Sequence, residues 1–210
     1  LPAVGIIAFL TALLVVGIRA SATVNGLMVL LKVGVVILVI LFGLPLIQME
    51  NLTPFVPEST GTIGEFGPWG VLRAAGVIFF AYIGFDAVSV AAQEARNPQR
   101  DMPIGILGSL AICTVLYILM SLTMVGLTPY TTLNVANPVS VAVGAAGDQL
   151  KWLLPLVNLG AIAGLSTVIL ISLYGQSRIF YSMSRDGMLP WFDKVDPRFG
   201  TPVRGTLLIG

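Results

Sequence analysis

The sequence predicts an all-α polytopic membrane protein, and three observations carry that class. Hydrophobic residues make up 56% of the 210 residues and charged residues only 10%, against roughly 25% charged in a soluble domain. Five segments are apolar and long enough to cross about 30 Å of hydrocarbon as helices. One of the five is interrupted in its middle by a glycine and a carboxylate, Gly84 and Asp86.

The elements follow in order. The first helix covers residues 3–18 and is followed by Arg19. The second covers 23–47, and Pro45 marks its end because proline cannot continue the backbone ladder. The third covers 71–92 and is discontinuous near residues 80–86. The fourth covers 103–127, with Pro103 suited to the first helical turn. The fifth covers 152–174 and contains Pro155. Another apolar run starts after residue 202. The chain begins Leu1-Pro2 with no initiator methionine or signal-peptide n-region, and it stops at Gly210 inside that run. It reads as a fragment of one transmembrane domain.

Charge sets the orientation. Arg19, Arg96, Arg100, Arg178, Arg185, Lys194, Arg198 and Arg204 fall in loops on one side, against Arg73 and Lys151 on the other. Basic residues favour the cytoplasmic side, so the first and fifth helices run outside to inside. The stretch 49–69, rich in Pro, Gly, Thr and Glu, is then an extracellular loop. The stretch 128–149 is external too, with a short surface helix near Val139. Residues 177–190 are amphipathic and read as a cytoplasmic interfacial helix.

The third segment is the most informative: Gly76-Val-Ile-Phe-Phe-Ala-Tyr-Ile-Gly-Phe-Asp. Buried charge in lipid is expensive, and broken backbone there must find partners. Where a helix opens, the carbonyls of its first half lose their intrahelical partners and form a negative dipole end suited to an ammonium group. The backbone around Phe80, Ala81, Tyr82 and Ile83 therefore matters more than its side chains, and Phe80, Ala81, Ile83 and Gly84 are the candidate substrate-binding positions. Asp86 either holds the break open and senses a substrate amine, or caps the second half-helix; the two roles are compatible. The alternative is a continuous helix in which Gly84 serves close packing.

Lys32 is the second signal. It lies at mid-depth in the second helix, where a lysine costs about 2.5–3.5 kcal/mol on insertion scales. An amine taken out of water gives up its proton more readily, so this position suits proton exchange. An ammonium there also suits the place of a bound sodium ion. A structural ion pair or an amine satisfied by carbonyls is the alternative. Gly34 nearby suggests a close helix contact.

Other polar residues signal less. Asn158, Ser166, Thr167 and Ser172 in the fifth helix fit helix packing. Glu94, Arg96, Arg100 and Asp101 fit solvated loop charges or an inner gate. Trp69, Trp152 and Trp191 fit the interfacial belt. The chain has no histidine and one cysteine, Cys113, so histidine metal sites, Ser-His-Asp triads and internal disulfides are excluded. No nucleophile–base pair or metal cluster points to an enzyme. The net charge of +1 implies no nucleic-acid partner.

At Phe79-Phe-Ala-Tyr-Ile-Gly-Phe-Asp and Gln93-Glu-Ala-Arg-Asn-Pro-Gln-Arg-Asp-Met-Pro-Ile-Gly the chain resembles the amino acid–polyamine–organocation (APC) superfamily, closest to its cationic amino acid transporter-like branch. Gly175-Gln-Ser-Arg-Ile-Phe-Tyr-Ser-Met-Ser-Arg-Asp-Gly-Met-Leu-Pro agrees, as does Arg19-Ala-Ser-Ala-Thr-Val-Asn with Lys32 following. The resemblance implies a piece of the APC/LeuT-like inverted-repeat fold, with these helices as its fourth to eighth. It implies that carbonyls near Phe80, Ala81 and Ile83 take the substrate's amino group. It also implies that Lys32 replaces the sodium of sodium-coupled relatives, with Ser166, Thr167 and Leu170 as neighbours. The expected function is secondary active amino acid transport with the proton as coupling ion and no other cofactor. The alternatives are an amino acid or polyamine exchanger and a membrane sensor without flux. Expected partners are an amino acid, membrane lipid and the N-terminal helices of the same transporter. The expected location is a bacterial inner membrane.

Overall fold

A computed structural model describes residues 2–16, 18–62, 64–82, 84, 97–189 and 203–209. Every regular element among the described residues is helical. The helices are α1 (Pro2–Val16), α2 (Ile18–Gly43), α3 (Gly67–Ile78), α4 (Pro98–Leu127), α5 (Pro138–Ala145), α6 (Leu154–Arg185) and α7 (Val203–Ile209). Three stretches are long and apolar enough to cross a membrane: Ser21–Leu46, Pro98–Leu127 and Lys151–Arg185. α1 and α3 are shorter, at 15 and 12 residues. Large apolar side chains such as Leu30, Leu107 and Leu165 stand exposed along the three long helices, as expected of surfaces that face lipid or further helices.

Among the boundaries that differ from the sequence expectation, four have a local reason. α2 begins at Ile18 and leaves no loop at 19–22. Ser21 donates its hydroxyl proton to the Leu13 carbonyl at 3.2 Å, which supplies a partner to the last turn of α1. α4 begins at Pro98, so Pro103 lies inside the helix. Asp101 reaches back to accept from the Asn97 N–H at 3.3 Å, a carboxylate in the first turns that suits the helix dipole. α3 begins at Gly67, with Pro68 in its first turn. α6 continues through residues 175–185 with no separate interfacial helix. It stops in a Schellman motif: Met188 N–H donates to Met183, Gly187 N–H donates to Ser184, and Gly187 has φ of +80°, the left-handed conformation that glycine adopts without a Cβ penalty.

The chain divides into two compact units, one built on Leu1–Gly34 and Leu159–Gly210, the other on Val35–Val88 and Ala95–Asn158. In the first, Leu10 and Leu14 of α1 cluster with Leu170 and Leu173 of α6, and α1 also packs on α7. In the second, Val39, Leu127, Val143, Leu150, Leu153 and Val157 form the core. The short helix expected near Val139 is α5, and it contributes the fully buried Ala142 and Val143.

Close packing in the second unit depends on two glycines. A Cβ on Gly43 would lie 2.5 Å from Thr123 Cγ2, and one on Gly126 would lie 2.6 Å from both Ile47 Cγ1 and Cγ2. The Gly126 carbonyl accepts from the Gln48 N–H at 2.9 Å and from Asn51 Nδ2 at 3.0 Å. The end of α4 is thus closed by the turn that follows α2. Gly34, expected at a close contact, has nothing among the described residues within 4 Å of a Cβ built on it. A glycine marks a contact only where a neighbouring backbone or branched side chain comes to meet it.

Candidate functional site

The third segment changes character at Phe79. α3 ends at Ile78, and Phe79–Tyr82 continue as a 3₁₀ turn, the tighter helix that often marks a hinge. Gly84 then takes φ of +132°, a conformation that residues with a Cβ rarely adopt. Gly84 thus serves backbone conformation, and among the described residues a Cβ there meets nothing within 4 Å. Phe80 and Ala81 are exposed. Ile83 and Asp86 lie outside the described residues, as do Glu94, Arg96 and Trp191.

Ala81 and Tyr82 are both held from α4. The Ala81 carbonyl accepts from the Tyr117 hydroxyl at 3.1 Å. Tyr82 and Thr114 hydroxyls meet at 3.1 Å. Thr114 commits its own proton to the Leu110 carbonyl at 2.8 Å, which leaves Tyr82 as the donor to Thr114. The Tyr82 and Tyr117 rings pack edge to face, with centroids 5.4 Å apart and planes at 64°, a favourable aromatic geometry. Sequence reasoning missed Thr114 and Tyr117. The available signal was a threonine and a tyrosine three residues apart, hence on one helix face, inside an apolar span and away from the interfacial belts where tyrosine gathers.

In the other unit, Lys32 is half-buried, and its ammonium Nζ donates to Thr167 Oγ1 at 2.9 Å. Thr167 is 3% exposed and donates onward to the Gly164 carbonyl at 2.7 Å. Among the described residues, Lys32 therefore sits on a hydroxyl and not on a carboxylate. The ion pair found among the described residues, Lys151 with Asp148, is exposed. Ser166 and Leu170 are buried beside Thr167 on α6. Two turns before Lys32, and on the same face of α2, the buried side-chain oxygen of Asn25 has no partner among the described residues. Asn158, in the second unit, accepts from Ser140 at 3.1 Å. Trp152 packs edge-on against Phe42. No group of three or more metal-ligating side chains occurs among the described residues.

The chain is similar to known proteins along its whole length. The amino acid permease family model matches residues 1–210. A methylthioribose transporter of Bacillus subtilis is 44% identical over 211 residues, covering 100% of the chain and 44% of that protein. The branched-chain amino acid permease BcaP of the same organism is 42% identical over 212 residues, covering 100% of the chain and 43% of that protein. Cationic amino acid transporter 1 of Arabidopsis thaliana is 38% identical over 208 residues, covering 99% of the chain and 33% of that protein. The chain thus spans less than half the length of these curated relatives. With an all-helical fold, membrane-length apolar helices and an interrupted third segment, the chain belongs to the amino acid permease family, as an integral membrane protein of the APC superfamily with cationic amino acid transporter-like relatives.

Proposed function

We propose that this chain is the central part of a secondary amino acid transporter that works by alternating access, driven by the proton gradient. The observation that carries the reading is the break at Phe79–Gly84: exposed backbone in a 3₁₀ turn, followed by a left-handed glycine, within a chain matched end to end by a permease model. An α-amino group is the ligand chemistry that carbonyls at such a helix end favour. Phe80, Ala81, Ile83 and Gly84 would form the amine side of the site, with Asp86 holding the break or sensing the amine. Lys32 would be the coupling group. Its hydrogen bond to the buried Thr167 supports this, because it ties a mid-helix amine to a second long helix. The eight basic residues that the sequence gathers on one side favour the cytoplasm for that side, and the Bacillus relatives favour a bacterial inner membrane.

The relatives' names include a sugar thioether carrier, a branched-chain amino acid carrier and cationic amino acid carriers, so the substrate panel must be wide. The test is uptake by the full-length protein in sodium-free liposomes, with labelled alanine, leucine, arginine and methylthioribose, with and without an inward proton gradient. Gradient-driven accumulation of an amino acid is the expected result. Accumulation of methylthioribose alone would replace the amino acid reading. Exchange that ignores the gradient would make the protein an exchanger and leave Lys32 as a stand-in for sodium. Binding without flux would make it a sensor.

A further inference from the structure

We propose that Tyr117 and Thr114 of α4 form a hydroxyl clasp that positions the Ala81 carbonyl for the substrate amine, which makes Tyr117 a positioning residue for binding. The proposal rests on the permease reading for what the carbonyl binds, but its geometry stands by itself. Two consecutive residues of the 3₁₀ turn, Ala81 and Tyr82, are each held by a hydroxyl hydrogen bond of 3.1 Å from one face of α4. The edge-to-face contact of Tyr82 with Tyr117 ties the two bonds together.

The clasp acts where the backbone needs it. Three residues past Ala81, Gly84 has left helical conformation, so the turn cannot rely on a continuing helix to fix its carbonyls. Tyr117 supplies a fixed donor to one of them. A carbonyl oxygen has two lone pairs, so the tyrosine can orient Ala81 and still leave room for a second donor. An ammonium group is such a donor, and it gains from a carbonyl already aimed, because the ordering is done before it arrives. Thr114 has the supporting part. Its proton is spent within its own helix, so it serves as a pure acceptor and fixes which way the Tyr82 hydroxyl points. Hydroxyl bonds between membrane helices are individually modest and can be exchanged. That suits a segment that must both hold a ligand and release it.

The test uses the full-length transporter with Tyr117→Phe, which keeps the ring and removes the donor, and the pair Thr114→Val and Thr114→Ser. Two readouts are taken. The first is the KM for labelled alanine, leucine and arginine in liposomes. The second is amide hydrogen exchange of the peptide covering residues 79–84 in lipid nanodiscs, which needs no transport. The clasp predicts that Tyr117→Phe raises KM and speeds local exchange by about three- to tenfold. The maximal rate per folded transporter and the exchange of α2 should stay unchanged. Thr114→Val should shift both readouts the same way, and Thr114→Ser should restore wild-type values. Wild-type KM and wild-type exchange in Tyr117→Phe would overturn the clasp. So would a fall in yield or melting temperature with both readouts unmoved, the mark of a merely structural contact. If Tyr117→Phe does not fold, the threonine pair decides by the same criteria. A wild-type protein that moves no amino acid would sink the permease reading, and the exchange measurement would still decide the clasp.

Discussion

The two halves of α2 differ in kind. From Val35 onward the helix is a packing element. Val39 is fully buried, Ile40 nearly so, and Gly43 meets Thr123 with no space for another carbon. Up to Gly34 the same helix carries Ser21, Asn25 and Lys32 on one face, and its glycines at 26 and 34 meet nothing among the described residues. The contacts there include hydrogen bonds to Leu13 and Thr167. Interdigitated apolar surfaces have one arrangement and lose energy in any other. A lysine held by one hydroxyl has no such interlock. One stretch of helix is therefore fixed by shape, and under the proposed coupling the adjoining stretch is the one that responds.

The largest effect that would break this contrast lies on the anchoring side. Gly126→Val drives carbon into Ile47 close to its own Cβ, where rotation cannot clear it. Gly43→Ala pushes on a Thr123 side chain that is fully buried and fixed by a 2.8 Å bond to the Leu119 carbonyl. Each change should cost about 1–3 kcal/mol, read as a lower melting temperature of the purified transporter, with KM unchanged in the molecules that fold. A shifted KM at normal stability would show that the anchor also takes part in transport.

The next effect lies on the responding side. Thr167→Val is close to isosteric but leaves Lys32 without its acceptor. A lost hydrogen bond to a charged donor costs about 1.5–3 kcal/mol. Gradient-driven accumulation should fall about tenfold or more, while substrate binding, followed by ligand-induced thermal shift, changes little. Thr167→Ser should retain function. Equal accumulation in Thr167→Val would detach the threonine from coupling. The smallest effect should come from Gly34→Ala. Its Cβ enters open space, and alanine suits a helix better than glycine by up to about 1 kcal/mol. Stability should be equal or slightly raised, and a clear loss would show that another surface closes on Gly34 in the assembled protein.

These contrasts also show which features a sequence makes legible. The long spans follow from hydropathy because lipid demands it. The interruption follows from Gly84 and Asp86 inside an apolar run, and Lys32 stands out because its placement is costly. Each of these is visible in a few neighbouring residues. The link from Ser21 to Leu13 erased an expected loop, and the return of Asp101 to Asn97 moved a helix start by five residues. Both depend on where a side chain points. Gly34 and Gly43 look alike in sequence, and only Gly43 has a branched neighbour against it. The contact between Tyr117 and Ala81 joins residues 36 apart, so neither residue announces the other.

The most direct test of the central claim compares wild type with Lys32→Ala in sodium-free liposomes, measuring both gradient-driven accumulation and counterflow of the same amino acid. Coupling at Lys32 predicts that wild type accumulates when the gradient is imposed, whereas the variant keeps counterflow and loses accumulation. Full accumulation by Lys32→Ala would contradict the account and reduce the lysine to a structural tie between α2 and Thr167.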